Sequence, residues 1–226
     1  MAAGARVVLA SRDTRALEQL ATQLLARGGD ARVLATDMTK SAEVAAAVEF
    51  TIATFGGLDI AVNNAGVSAK AALLAEITDE EFDRVMHTNV RGVFIAMKHE
   101  IRAMLACGGG TIVNTASIGG LVALPRMAAY TASKHALVAI TKVAALDYAK
   151  NGIRVNAVAP GTVMTQMLRS GAAATPEGEA RLKAVTPMGR IAEPEEVAGA
   201  IAWLCSDAAS YVTGIAFPVD GGYTSC

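Results

Sequence analysis

Short apolar runs alternate along this chain with longer segments in which apolar residues recur every three or four positions. Short runs bounded by turn residues are typical of buried strands, whereas the longer periodic segments are typical of amphipathic helices. Strands separated by helices predict β-α-β units with parallel strands. The predicted fold class is therefore α/β, with a doubly wound parallel sheet between two layers of helices, in three αβα layers.

The predicted strands and helices alternate along most of the chain. Strands are predicted at residues 6–10, 31–35, 58–63, 110–115, 153–159 and 214–219, and helices at residues 14–26, 41–55, 79–105, 130–150 and 194–205. Residues 170–187, rich in Gly, Ala, Thr and Pro, are expected to form a mobile flap. This order predicts one Rossmann-like domain over residues 1–226, which binds ligands beyond the carboxyl ends of its strands.

The composition fits buried parallel strands and argues against several classes of partner. The chain is 53% hydrophobic and only 4% aromatic, so mainly Ala, Val, Leu and Ile must fill the core. Its net charge of -1 favours neither nucleic acid nor an anionic membrane, and no stretch is long and apolar enough to span a bilayer. The three cysteines have no metal-ligand spacing, so we expect no metal site and a reducing, cytoplasmic location.

Three polar side chains form a candidate catalytic group. Tyr130 and Lys134 lie four residues apart in a helical pattern, so they share one face of the predicted helix. A tyrosine pKa of about 10 is too high for a base at neutral pH, and a nearby lysine ammonium is expected to lower it. Ser117 follows a strand and could hold the same substrate oxygen. The group predicts proton transfer to or from an alcohol. An isolated Tyr/Lys pair on a helix, however, is more often a chance pair on the protein surface without a catalytic role.

Five ordered motifs extend this pattern from about Ala5 to the C-terminus. The motifs are Asn63-Asn64-Ala65-Gly66, Asn89 in His87-Thr88-Asn89-Val90, Ser117 with Tyr130-Thr131-Ala132-Ser133-Lys134, Pro160-Gly161-Thr162-Val163-Met164-Thr165 and Val219-Asp220-Gly221-Gly222. Their sequences and spacings resemble those of the short-chain dehydrogenase/reductase family. The resemblance implies a nicotinamide-dependent oxidoreductase that interconverts a secondary alcohol and a ketone.

The resemblance also implies a role for each matching residue. Tyr130 would exchange the proton, while Lys134 would lower the pKa of Tyr130 and hold the nicotinamide ribose. Ser117 would orient the carbonyl oxygen, and Asn89 would support a water relay behind Lys134. The implied cofactor-binding residues are Ser11, Arg12, Asp37, Met38, Asn64, Ala65, Gly66, Tyr130, Lys134, Pro160, Gly161, Val163 and Thr165. Alternatively, Asp37 could cap the following helix, and Asn63 and Asn64 could serve loop backbone groups.

Ser11 and Arg12 bear on the choice of cofactor. Relatives that prefer NAD place an acidic residue at the end of the corresponding strand, where it binds the ribose 2′-hydroxyl. Here Ser11 occupies that place, and Arg12 offers a fork of donors suited to a phosphate. We therefore expect NADP rather than NAD, with NAD still possible, unless Arg12 is only a solvated residue near a helix start.

One motif of the family is absent. Its members begin with a strand and a glycine-rich turn, Thr-Gly-x-x-x-Gly-x-Gly, which cradles the pyrophosphate at a helix N-terminus. No such turn occurs here, so the chain is expected to lack about one βα unit and to leave two strand edges unpaired. A wrong start site, which we favour, a genuine truncation and a strand from a neighbouring chain are the three explanations. The 226 residues are expected to bind NADP weakly and to have low activity.

Several functional classes remain open at this point. The favoured substrate is a small neutral secondary alcohol or ketone, because the loop 118–125 is mainly apolar and contains no arginine or lysine. A catalytically silent binding protein, and an epimerase or dehydratase that uses a Tyr/Lys pair, are the alternatives. The family resemblance implies a homo-oligomer, either a dimer or a tetramer, formed through the helices 79–105 and 130–150.

Overall fold

A computed structural model describes residues 4–171 and 173–225 of the chain. Its strands are β1 (Arg6–Ser11), β2 (Asp30–Ala35), β3 (Ile60–Asn63), β4 (Gly110–Thr115), β5 (Ile153–Pro160) and β6 (Ala216–Val219). Its α-helices are α1 (Thr14–Ala26), α2 (Ser41–Phe55), α3 (Asp79–Met86), α4 (Val93–Cys107), α5 (Ala128–Tyr148), α6 (Gln166–Arg169), α7 (Pro176–Ala184) and α8 (Pro194–Cys205). All six predicted strands are present, with small shifts at their ends. The last begins at Ala216 because Gly214 has a φ of 77° and forms a turn.

The strands are parallel and form two sheets, β1-β2 and β3-β4-β5-β6. Neighbouring residues of β4 and β5 face opposite layers of helices. Ile112 and Val155 pack with residues of α4 and α5, whereas Val113 and Val158 pack with Val197 and Leu204 of α8. The alternation confirms the predicted αβα layers and the Rossmann-like fold class.

The boundary between the two sheets bears on the expected unpaired edges. No strand within residues 4–171 and 173–225 pairs with the second edge of β1 or with the free edge of β3. On β3, Ile60 is 41% exposed and Val62 is 44% exposed, although both are β-branched and apolar. The prediction that two strand edges would lack a partner therefore holds for the described residues.

The predicted helix 79–105 is continuous, but it is not α-helical throughout. A π-helical segment, His87–Gly92, joins α3 to α4. We call it the π-turn. A π-turn holds more residues per turn than an α-helix and therefore shifts the faces that its side chains occupy. Asn89 lies within it and is fully buried.

The predicted flap contains a helix that the sequence analysis missed. Thr175 caps the N-terminus of α7, because its hydroxyl accepts a hydrogen bond from the Gly178 N–H at 3.1 Å, and Pro176 occupies the first helical position. Both are helix-start signals. Residues 170–187 are therefore partly helical rather than a loop throughout. None of the helices among the described residues is long and apolar enough to cross a membrane.

Candidate active site

The candidate site lies where the loops after β3, β4 and β5 meet. The register aligns Asn63 with Asn114 and Thr115 with Val158, so these loops leave the sheet at the same edge. Ser117 is 8% exposed, and its hydroxyl accepts a hydrogen bond from the Gly119 N–H at 3.1 Å. This bond begins a 3-10 turn and fixes the hydroxyl at the edge of the sheet.

The first two turns of α5 bring Tyr130 and Lys134 to Ser117. Tyr130 is close enough to Ser117 for their hydroxyl groups to form a hydrogen bond. Lys134 is 5% exposed, and its Nζ donates to the Thr115 carbonyl at 2.8 Å. Nζ also lies 5.8 Å from the centre of the Tyr130 ring. The structure thus brings together the three residues that the sequence placed in one group.

The electrostatics of the pair differ from the expectation for Tyr130. Burial raises the pKa of Tyr130 above its usual value, and the hydrogen bond with Ser117 only partly opposes this rise. Burial also lowers the pKa of Lys134 to about 8. Lys134 is not among the influences on the pKa of Tyr130 in this arrangement, in which its ammonium donates to the Thr115 carbonyl. Burial is therefore the largest influence, and Tyr130 keeps its proton at neutral pH.

Asn89 binds the loop that follows β3. Its Oδ1 accepts from the Val67 N–H at 2.8 Å, and its Nδ2 donates to the Val67 carbonyl at 2.9 Å and to the Ser133 hydroxyl at 3.1 Å. A Cβ at Gly66 would lie 3.3 Å from Asn89 Oδ1 and 3.5 Å from Lys134 Nζ. Glycine therefore lets the loop backbone come close to both side chains.

The turn after β5 is tied to two other segments. Val163 forms an isolated parallel bridge with Ala192, and the Thr165 hydroxyl caps α6 by accepting from the Leu168 N–H at 3.3 Å. A Cβ at Gly161 would lie 2.9 Å from the Asp220 Cα, so this glycine is required for the close approach. Pro160 ends β5. The structure therefore holds this turn at the same edge as Ser117.

The residues that are expected to bind the adenosine half of the cofactor lie at the ends of β1 and β2. The Thr36 N–H donates to the Ser11 carbonyl at 3.0 Å, which aligns the two strand ends. Arg12 is exposed, and its charge is among the influences that lower the pKa of Asp37. Asp37 accepts from both the N–H and the hydroxyl of Thr39, and these bonds are the main cause of that lowering. Asp37 therefore stabilises the turn before α2, but it does not cap that helix, whose N-cap residue is Lys40.

The sequence analysis missed a buried polar network beneath the site. Asn63 Nδ2 donates to Glu100 Oε2 and to Asn114 Oδ1, both at 3.0 Å, and Asn114 Nδ2 donates to the Thr141 hydroxyl at 2.8 Å. Glu100 is 7% exposed on α4. The only available signal was an ionisable residue among the apolar positions of its helix. Asn63 lies 37 residues from Glu100 and 51 residues from Asn114, so these pairs could not be read from the sequence.

The geometry of the site suits the nicotinamide ribose of the cofactor better than its pyrophosphate. Asn64, Ala65 and Gly66 are exposed, and Gly66 lies beside the buried Lys134 amine, which suits a ribose carrying hydroxyl groups. No glycine-rich turn of the family type occurs in the sequence to approach a pyrophosphate. The described residues also contain no cluster of His, Cys, Asp or Glu that could hold a metal ion.

Comparisons with known proteins agree with this arrangement. A family model described as enoyl-(acyl carrier protein) reductase matches residues 1–224. The chain is 48% identical over 222 residues to the A-factor type gamma-butyrolactone 1'-reductase (1S-forming) of Streptomyces virginiae, covering 98% of this chain and 86% of that protein. It is 40% identical over 222 residues to cyclohexanol dehydrogenase of Acinetobacter sp. (strain SE19), with the same coverage.

A solved structure extends the comparison to the whole fold. The gluconate 5-dehydrogenase from Burkholderia cenocepacia J2315, in complex with NADP and tartrate, matches with a TM-score of 0.93 and 34% sequence identity. The match covers 100% of this chain and 88% of that one. These similarities confirm the resemblance stated from the motifs, and the chain belongs to the short-chain dehydrogenase/reductase family of oxidoreductases.

Proposed function

We propose that this protein is an NADP-linked oxidoreductase that interconverts a small secondary alcohol and the corresponding ketone. The observation that carries the proposal is the convergence of Ser117, Tyr130 and the buried Lys134 at the carboxyl edge of the sheet. The bound cofactor would supply or accept the hydride. Lys134 and the backbone of residues 64–66 would hold its nicotinamide ribose.

The protein's own side chains would carry out the proton transfer. The Tyr130 hydroxyl is protonated at neutral pH, and it would donate this proton to a ketone oxygen. Ser117 would bind the same oxygen and stabilise the charge that develops on it. Asn89 would act indirectly, because its hydrogen bonds with Val67 hold the loop beside Lys134.

The substrate is proposed to be neutral, because the walls nearest Tyr130 are apolar. A Cβ at Gly119 would lie 3.0 Å from Leu124 Cδ1 and 3.4 Å from Tyr130 Cε1, so the leucine packs beside the reacting ring. The relative named as a cyclohexanol dehydrogenase supports a cyclic alcohol or ketone. The test is an assay of cyclic and acyclic secondary alcohols and ketones with each nicotinamide cofactor.

The second candidate is a protein of the same fold that binds cofactor weakly and is nearly silent. The observation that favours it is that the edges of β1 and β3 are unpaired among the described residues. A fluorescence titration with NADPH separates the two candidates. Tight, stoichiometric binding excludes the silent form, and an absence of both binding and turnover excludes the oxidoreductase.

Changing Arg12 to Ala is expected to raise KM for NADPH about tenfold or more and to change KM for NADH little. The guanidinium would bind the 2′-phosphate that only NADPH carries, and a charge-assisted hydrogen bond contributes roughly 1.5–3 kcal/mol. The measurement is steady-state kinetics with both cofactors, and Arg15→Ala, an exposed arginine of α1, is the matched control. A tenfold better catalytic efficiency of the unmodified protein with NADH would contradict the assignment.

We also propose that the protein forms homo-oligomers through α4 and α5. Phe94 is 54% exposed, Val143 57% and Leu146 82%, and a set of exposed apolar residues on neighbouring helices is typical of an interface. Leu146→Glu is expected to halve the particle mass or reduce it further in sedimentation velocity. Leu25→Glu, which alters a half-exposed leucine of α1, should leave the mass unchanged. A monomeric unmodified protein would refute the proposal.

A further inference from the structure

The π-turn contacts two segments that belong to opposite ends of the proposed cofactor site. On its inner side, Asn89 holds the Val67 N–H and carbonyl with hydrogen bonds of 2.8 and 2.9 Å. On its outer side, three other residues of the π-turn contact the adenosine-side segment, which we define as residues 37–41.

The outer contacts are made by His87, Arg91 and Gly92. Arg91 Nη2 donates to the Ser41 hydroxyl at 3.2 Å, and His87 Nε2 lies 3.1 Å from the Thr39 carbonyl oxygen. A carbonyl oxygen can only accept, so Nε2 must carry the proton and donate. In that tautomer, the 3.4 Å approach of Arg91 Nη1 to His87 Nε2 is not a hydrogen bond, and Ser41 is the polar partner of Arg91.

Gly92 makes the outer contact close. A Cβ at this position would lie 2.6 Å from the Met38 carbonyl oxygen, so the backbones of the π-turn and of the adenosine-side segment nearly touch. A displacement of residues 37–41 therefore acts directly on the π-turn. The hydrogen bond between Arg91 and Ser41 fixes the orientation of the π-turn relative to the adenosine-side segment.

We propose that Arg91 is a positioning residue, which through Ser41 keeps the π-turn wound so that Asn89 holds Val67 and the loop beside Lys134. If the π-turn relaxed to an α-helix, its residues would shift register by one, and one α-helical position corresponds to a rotation of about 100°. Asn89 would then point away from Val67. The contact between Arg91 and Ser41 thereby links the adenosine-side segment to the loop beside the catalytic group.

The kinetic consequence rests on the proposed function, whereas the structural consequence does not. The first test therefore uses no cofactor and measures amide hydrogen exchange of a peptide that contains Val67. Its N–H is protected by Asn89 Oδ1, so Asn89→Ala should accelerate its exchange about tenfold or more. Arg91→Ala and Ser41→Ala should accelerate it about three- to tenfold, and Arg91→Lys, which can still donate to Ser41, should accelerate it less.

The matched control is Arg102→Ala. Arg102 is an exposed arginine of α4 that lies 11 residues beyond Arg91, about 16 Å further along the helix axis. It should leave the exchange of the Val67 peptide unchanged. If Arg91→Ala leaves that exchange unchanged too, or if Arg102→Ala accelerates it equally, the proposal is overturned.

The second test is a double-mutant cycle on kcat between Arg91→Ala and Asn89→Ala. If Arg91 acts through Asn89, Arg91→Ala should lower kcat about three- to tenfold in the unmodified protein and less than twofold in the Asn89→Ala background. KM for the alcohol should change little. Equal losses in both backgrounds refute the proposal. An unmodified protein without turnover refutes the proposed function instead, and the exchange experiment then decides the inference alone.

Discussion

Replacing Tyr130 with phenylalanine is expected to lower kcat for ketone reduction about a thousandfold, because the phenol is the proposed proton donor. General acid-base catalysis contributes about 10²–10⁴-fold, and phenylalanine has no hydroxyl group to donate the proton. The ring contacts remain in the variant, so the binding of NADPH should be retained. The measurement is single-turnover and steady-state reduction of the best ketone in the panel.

Tyr148→Phe provides the matched control for this prediction. Tyr148 is the last residue of α5 and is only partly buried, where it packs against the core cluster. Its loss of a hydroxyl should change kcat less than about twofold. If Tyr130→Phe retained full activity, Tyr130 would not be the acid. If it lost NADPH binding instead, the loss of rate would reflect the cofactor site rather than proton transfer.

The pH dependence of stability is expected to be dominated by Glu100 between about pH 4.5 and 7. Burial raises the pKa of Glu100 from 4.5 to about 7. A carboxyl group with a raised pKa binds more protons in the folded state, so the protein is most stable below the unfolded value and loses stability as the pH rises. A shift of this size corresponds to about 3 kcal/mol at pH 8.

Glu100→Gln tests this origin directly. The amide keeps an oxygen that can accept from Asn63 but cannot ionise, so the variant should be up to about 3 kcal/mol more stable than the unmodified protein at pH 8 and similar at pH 4. Urea unfolding at both pH values provides the measurement. Glu49→Gln, an exposed glutamate of α2, is the control. A decline in stability that persisted unchanged in Glu100→Gln would show that another group is responsible.

Residues 87–92 show where a sequence pattern and the structure diverge. Periodicity predicted one helix across this region, and the chain is indeed helical from Asp79 to Cys107. The π-turn left no signal, because it depends on Asn89 reaching Val67 and on Gly92 reaching Met38. Both contacts are formed by residues that are distant in sequence. The same reason explains why Glu100 was missed, since its partner Asn63 lies 37 residues away.

Local patterns alone determined the type and order of the main strands and helices, and the motifs determined the family. Both depend on neighbouring residues, because strand and helix periodicities repeat within a few positions. Only the tertiary structure decided that burial would raise the pKa of Tyr130 rather than Lys134 lower it. Desolvation depends on every element packed around a side chain, and a short stretch of sequence does not predict that packing.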